Sequence, residues 1–569
     1  MTPGRGKRVW ATRLTVLAVV VAAIVGVAVL LTGARGNAAP TARSDPVAPV
    51  ARFVSAWHAG DFSRMYAAIT PKARARVSYT RFVAFYKHSA AVATMRGLRL
   101  VGHLRLGHGA VTVPMSVSTR LFGRVAETMA VPLEKTAAGE RVEWTRALTF
   151  PGLEPGERLV VHERLPHGRG RILDRSGAVL AEGPVTARTY PQGSAFAIIT
   201  GFLKPPAVAQ VAAREHAGWP ATLPYGQGGL EGSLDPILAG TPRFSLRAVS
   251  KQTGHIRVLA LRRGRSPRDV RTTLRVPIQN AAVAALGARY GGVVVLSART
   301  GAVEADAGLG MDVLQPPGSS FMTITSAAAL TAGKTTLDTQ YTYARYALLD
   351  GWRLHNFHHE DCGGSLVLAF AVSCNSVFGP LAVSVGAPKL VAMADAFGFN
   401  HPASIAYPVP ESVTRPPSGM TSDLDLGVAG IGQGGVLASP LQMASVAQTI
   451  GSGCTRRPPF LVLRPKSARE PSTPVRACSR HIAAEVTTMM EAVVTEGTGV
   501  SAAIPGVTVA GKTGTAEVGP HIPTDAWFIA FAPVGAPKVA VAVLVVRGGV
   551  GGSTAAPIAR DVLEAALGQ

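Results

Sequence analysis

From Leu14 to Thr32 the chain is apolar and uncharged without interruption ("LTVLAVVVAAIVGVAVLLT"), long enough to cross a bilayer as a helix. Arg5, Lys7, Arg8 and Arg13 precede this run and Arg35 follows it, which places the N-terminus in the cytoplasm by the positive-inside rule. The reading is a single-pass anchor in the cell membrane with the bulk of the chain extracytoplasmic. The run exceeds a usual signal-peptide core, although the small residues of "GNAAPTA" keep cleavage as the alternative.

Beyond a polar linker the apolar positions take up helical spacing. "PVARFVSAWHAGDFSRMYAAI" predicts helix broken at Gly60-Asp61, and "YTRFVAFYKHSAAVA" predicts a second helix. Period-two alternation follows in "AVTVPMSVSTRLF" and "VAETMAVPLEK", ending in "RVEWTRALTF", so strands are expected. Short strands and helices mix from 180 to 270, with a helix in "GQGGLEGSLDPILAGTPR". Residues 271–290 read as an amphipathic helix, and "GGVVVLSARTGAVEADAG" as a hairpin turning at Arg299-Thr300-Gly301. Apolar helices and strands then alternate to the end, closing on "KVAVAVLVV" and "PIARDVLEAALG". The fold class expected is α+β multidomain: a cytoplasmic tail (1–12), anchor (13–33), linker (34–47), small α+β unit (48–152), middle domain (153–270) and large helix-and-sheet domain (271–569).

Composition changes this picture little. The formal net charge of +23 invites a nucleic-acid reading, but an exported chain whose basic residues lack interleaved aromatics argues against it. Of the 57 cations, 46 are Arg, so a lysine inside a motif carries extra weight. Four cysteines, at 362, 374, 454 and 478, permit Cys362 with Cys374 and Cys454 with Cys478, yet sequence alone does not choose among the three pairings. No zinc-like spacing is present, and neither metal nor cofactor is expected. "RGRILDRSG" reads equally as a basic surface turn or as a buried ion-pair network.

Three short elements stand in one order: "SSFM" (319–322), "SCN" (373–375) and "KTGT" (512–515), flanked by "PPGSSF", "AVSCNSVF", "GIGQGGVLASPLQMA", "VAGKTGTAE" and "DAWFIAFAP". With these flanks the chain resembles the class B penicillin-binding proteins, serine acyltransferases that cross-link peptidoglycan and carry S-x-x-K, S-x-N and K-T-G. "RGRILDRSG" and "GLEGSLDPILAGTP" look like the pedestal segments of that class, which favours the buried network. Residues 48–150 look like the cone-shaped extension of its low-affinity, methicillin-resistance-type branch. The resemblance implies a serine β-lactamase-like transpeptidase domain that acts on the peptidoglycan stem peptide and binds β-lactams. It also implies a membrane setting with a glycan-synthase or divisome partner.

The resemblance implies roles residue by residue. Ser319 would be the nucleophile, its N–H and that of Thr515 forming an oxyanion hole. Ser373 would relay a proton and Asn375 position the substrate amide. Lys512 would supply a cation, Thr513 and Thr515 would hold the donor carboxylate, and Gly514 would leave room for substrate along the strand edge. Trp527 is assigned to the core. Met322 occupies the position of the family lysine, three residues after Ser319 on the same helix face, and accepts no proton at any accessible pH. The expectation is therefore a catalytically impaired, binding-type protein, with an active enzyme using Lys512 as base as the alternative. His355, His358 and His359 in "HNFHHED" could reach the groove rim. A dinucleotide reading of "GIGQGG" lacks the strand-turn-helix context that would support it.

Overall fold

The structure, a computed structural model, describes residue 45, residues 47–469 and residues 473–569. The expected tail, the anchor and nearly all of the linker lie outside the described residues. Among the described residues no single helix is long and apolar enough to cross a membrane.

The N-terminal unit begins with helices Ala48–His58 and Phe62–Ala68. The break between them falls at Gly60, with φ 72°, and Asp61, whose carboxylate accepts the Arg64 N–H at 3.0 Å as a cap. Helix Tyr79–Val92 packs with them against an antiparallel sheet whose long strands are Ala110–Thr119 and Gly123–Thr136. Phe53, Met65, Phe82, Val111, Val113 and Val131 form its fully buried core. "RVEWTRALTF" is not one strand: pairing ends at Val142, and Arg146–Thr149 form a 3-10 turn. Leu148 within that turn and Phe150 just after it are buried, a placement that alternation alone does not encode.

The middle of the chain is braced by charge. Arg169, with no exposed side-chain surface, donates to Glu231 at 2.6 Å and to Asp235 at 2.8 Å, and Arg188 reaches the other Glu231 oxygen at 2.7 Å. Arg171, two residues along, pairs with Asp269 at the surface, where both side chains stay about half exposed. Both readings of "RGRILDRSG" are thus realised in one segment: its first arginine is buried and its later ones lie outside. Strand Val270–Thr272 pairs in parallel with Ile172–Leu173 and antiparallel with Val462–Arg464, which ties this region to the C-terminal part.

The C-terminal part is a three-layer sandwich. Among its elements, in chain order, are α1 (Val276–Leu286), β1 (Gly291–Ser297), β2 (Val303–Gly308), α2 (Met322–Thr331), β3 (Tyr346–Leu349), β4 (Trp352–His355), α3 (Asn375–Val385), α4 (Pro440–Gly451), β5 (Ala510–Ala516), β6 (Asp525–Ala532), β7 (Val539–Val545) and α5 (Gly551–Leu567). The antiparallel sheet runs β2-β1-β7-β6-β5, leaving β5 at an edge. Alternation sorts its side chains by face. Val293, Val295, Val541, Val543 and Phe528 pack with α1 and α5, whereas Val294, Leu296, Ala542, Leu544 and Trp527 pack with α2 and α4. Trp527 is fully buried, as assigned. The β1–β2 hairpin turns through Gly301 at φ 74°.

The buried pairs and the surface pair should separate in unfolding experiments. Glu231→Gln leaves Arg169 and Arg188 facing a neutral amide and is expected to cost about 3–5 kcal/mol. Arg171→Ala at the exposed pair is expected to cost no more than about 1 kcal/mol. Urea unfolding of the two variants beside the parent checks this contrast, and equal costs would refute the partition.

Candidate functional site

"PPGSS" cannot simply continue a helix: the prolines restrict the entry, and Gly318, at φ 53°, takes the chain into a 3-10 turn over Gly318–Phe321. Ser319 therefore sits in the turn that feeds α2, and Met322 is the first residue of α2 itself. Ser320 is fully buried and donates its hydroxyl to Pro317 O at 2.6 Å, so Ser319 is the half-buried serine that opens to solvent. Its side chain lines a cleft of about 1200 Å³. Ser373, Asn375, Thr513 and Thr515 line the same cleft, so residues from all three sequence elements meet there.

Backbone contacts hold the serine turn in place. A Cβ on Gly514 would lie 2.5 Å from Pro317 O and 2.9 Å from the Trp527 Cβ, and one on Gly318 would lie 2.9 Å from Thr515 O. The space beside Gly514 is therefore taken by the serine turn. On the other side Gly318 N–H donates to Gly432 O at 3.0 Å, and a Cβ on Gly432 would overlap Gly318 O. Gln433, the centre of "GIGQGG", closes the ring: with its amide turned to satisfy both groups, it donates to Glu517 O at 3.2 Å and accepts Glu517 N–H at 2.8 Å. That loop follows the helix Asp423–Gly430, not a strand, so it clamps the site and has no dinucleotide-binding context.

Lys512 lies beneath the cleft with no exposed surface. Its Nζ donates to Ser373 Oγ at 2.8 Å and to Thr513 O at 3.0 Å, and lies 5.3 Å from the centre of the Phe370 ring. Among the described residues no carboxylate pairs with it, and burial pulls its pKa down to about 7. Thr513 Oγ1 shares a 2.6 Å hydrogen bond with Thr498 Oγ1, and Thr515 Oγ1 accepts Gly551 N–H at 3.3 Å. Thr498 was missed by sequence reasoning; only its place in "EGTG", just after the helix Arg480–Thr495, could have pointed to it.

The "SCN" element is held from outside. Ser373 adopts φ 66°, an uncommon conformation for a residue with a side chain, at the turn before α3. Cys374 is bonded to Cys362, and Cys454 to Cys478, so the pairing is the sequential one. Asn375 Nδ2 donates to His355 O at 2.9 Å, and Ser376 N–H donates to Asn356 Oδ1 at 2.7 Å. Asn356 in turn donates to Ala344 O and Glu360 O. The "HNFHHED" run is thus the bracket of the second element. His355 and His359 line the cleft with their Nδ1 atoms 2.9 Å apart, whereas His358 is not on its wall and lies tilted by 57° against Phe357. No group of three or more His, Cys, Asp or Glu side chains able to hold a metal ion occurs among the described residues.

Met322 is fully buried within the same apolar core as Phe321, Ile324 and Trp527. Thr323 Oγ1 and Ser326 Oγ, its neighbours on α2, are buried without hydrogen-bond partners. What the cleft offers chemically is a serine hydroxyl at its floor, a second hydroxyl bonded to a buried amine, and an unpaired strand edge.

Residues 291–564 match the family model described as the penicillin binding protein transpeptidase domain. Over 519 residues the chain is 35% identical to the peptidoglycan D,D-transpeptidase PbpA of Mycolicibacterium smegmatis, covering 78% of this chain and 98% of that protein. Against PbpA of Mycobacterium tuberculosis it is 35% identical over 499 residues, covering 74% and 94%. The crystal structure of PBPA from M. tuberculosis superposes with a TM-score of 0.57 at 33% identity, over 70% of this chain and 99% of that one. Its ceftriaxone acyl-enzyme complex gives the same score and identity over 70% and 98%. The chain belongs to the class B penicillin-binding protein transpeptidase family, among the PbpA-like D,D-transpeptidases.

Proposed function

We propose that this protein is a membrane-anchored penicillin-binding protein of cell-wall assembly that binds the peptidoglycan stem peptide but is strongly impaired in turning it over. The observation that carries the reading is Met322: fully buried one turn after Ser319, in the place of the family lysine, it is an apolar side chain where acylation needs a base. A positioned base contributes about 10²- to 10⁴-fold, and loss of one member of a cooperating catalytic unit can cost on the order of 10⁶. Methionine matches lysine in length, so the groove survives the exchange.

In this reading Ser319 is the residual nucleophile and the N–H groups of Ser319 and Thr515 form the oxyanion hole. Thr513 and Thr515 take the donor carboxylate, Asn375 the peptide amide, and the peptide lies along the free edge of β5. The apolar run 14–32 anchors the chain beside a glycan-synthase or divisome partner. Residues 48–152 form the cone-like extension of the low-affinity branch, 153–270 the pedestal and 271–569 the transpeptidase domain. The solved M. tuberculosis relatives described as ceftriaxone, imipenem and penicillin G acyl-enzymes support β-lactam recognition at Ser319.

One observation favours a second reading, an active transpeptidase. Lys512 is buried, unpaired and bonded to Ser373. With a pKa near 7 a large fraction of the amine is neutral at physiological pH, and it could accept the Ser319 proton through the Ser373 hydroxyl.

Fluorescent penicillin labelling of the full chain tests the first reading. The parent is expected to label at least about 10²-fold more slowly than Met322→Lys, and Ser319→Ala not at all; thermal melts verify that the lysine variant folds. Labelling of the parent as fast as Met322→Lys would sink the impairment.

The pH profile of residual labelling separates the readings. Lys512 must be neutral to act, and its neutral fraction grows as pH rises through about 7, so a Lys512-dependent rate climbs to a plateau above pH 8 and is lost in Lys512→Met. Without an internal base, hydroxide drives the reaction and the rate keeps rising about tenfold per pH unit.

A further inference from the structure

The β3–β4 hairpin carries a surface that neither the core nor the catalytic elements use. Its register pairs Tyr346 with His355 and Leu348 with Arg353, and cross-strand partners share a face. Ala347 and Leu349 point inward and are buried, which leaves Tyr346, Leu348, Arg353 and His355 outward. Leu348 is 65% exposed, Tyr343 just ahead of the hairpin 59%, and Tyr346 38%; Trp352, 69% exposed at the turn, pairs with Leu349 and so belongs to the other face. Single exposed apolar residues are ordinary; three large ones within six residues, beginning at Tyr343 on the cleft wall, mark a binding surface.

The surface is continuous with the groove. The Arg353 guanidinium lies 4.7 Å from the centre of the Tyr346 ring, Tyr346 lies 5.6 Å from His355, and His355 lies 4.4 Å from His359. Tyr343, Arg353, His355 and His359 line the cleft as well. A ligand extending from the groove on this side therefore meets aromatic faces alternating with nitrogen donors.

We infer that this hairpin face is a saccharide subsite, taking the amino-sugar backbone to which the stem peptide is joined. The inference rests on the proposed reading of the groove as the stem-peptide site. Two arguments choose the occupant. A stem peptide of a few residues, at about 3.3–3.6 Å each, leaves its sugar within roughly 10–20 Å of the groove floor, so the glycan must lie against one rim. A pyranose presents apolar C–H faces that stack on aromatic rings, with hydroxyl and acetamido oxygens at its edge that accept from Arg and His.

The test compares three probes on the full chain in detergent: free pentapeptide, the disaccharide-pentapeptide, and peptide-free chitotetraose. In the parent the disaccharide-pentapeptide is expected to bind roughly three- to tenfold more tightly than the free peptide. In Tyr346→Ala that ratio falls toward one with free-peptide affinity unchanged, Tyr346→Phe retains it, and Trp352→Ala, on the other face, leaves it unchanged. His355 is left intact because its carbonyl holds Asn375. A ratio of one in the parent overturns the proposal, as does equal weakening of both peptides in the variants. So does loss of self-association in the variants without a change in sugar binding, which would assign the face to a second copy. Chitotetraose binding that depends on Tyr346, in a chain that binds no peptide, would uphold the saccharide face while removing the stem-peptide reading.

Discussion

The serine turn is wedged between a strand and a loop at three places where no methyl group fits. Gly514 meets Pro317 O, Gly318 meets Thr515 O, and Gly432 meets Gly318 O, each at a separation that leaves no room for a Cβ. The relation between Ser319 and Thr515 is thereby set by backbone against backbone, with Gln433 bonded to both main-chain groups of Glu517 across the gap. Packing of this kind does not depend on the identity of the residue at 322, because Met322 lies on the core side of α2 and only has to fill its volume. The groove and the base are physically separate requirements, so a chain can keep one and lack the other.

The opposite wall follows a different logic. Ser373 in a left-handed conformation persists because its neighbours over-determine it: the Cys362–Cys374 bond on one side, the Asn356 and His355 carbonyl contacts on the other, and the Lys512 amine beneath. Lys512 is buried without a carboxylate, which disfavours its charged form and makes it unlike an ordinary surface lysine. Set beside the apolar Met322, it is the chemically distinctive feature of this cleft.

Legibility followed the range of the interaction. The β1–β2 hairpin was readable because alternation and a turn glycine are local, and so was the break at Gly60-Asp61, where the cap bond spans three residues. Arg169 and Arg171 stand two residues apart and look alike in sequence, yet one is buried and the other exposed. The difference lies in partners 62 and 98 residues away, Glu231 and Asp269. "RVEWTRALTF" alternates like a strand but ends pairing at Val142, because burying Leu148 and Phe150 requires the chain to turn. Thr498 and Gln433 carried no signal of their own, since each acts on a main-chain or hydroxyl group of a distant segment.

The order and flanks of "SSFM", "SCN" and "KTGT" by themselves determined the family, the groove-lining residues and the absence of a lysine after Ser319, since all of these are properties of residue identity at fixed spacing. Only the tertiary structure decided that Lys512 is buried on Ser373, that Cys374 pairs with Cys362, that "HNFHHED" braces Asn375, and that Arg353 and His355 of the β3–β4 hairpin line the cleft. Each of those depends on which distant segments pack together, and packing is decided by the whole core rather than by any stretch of the chain.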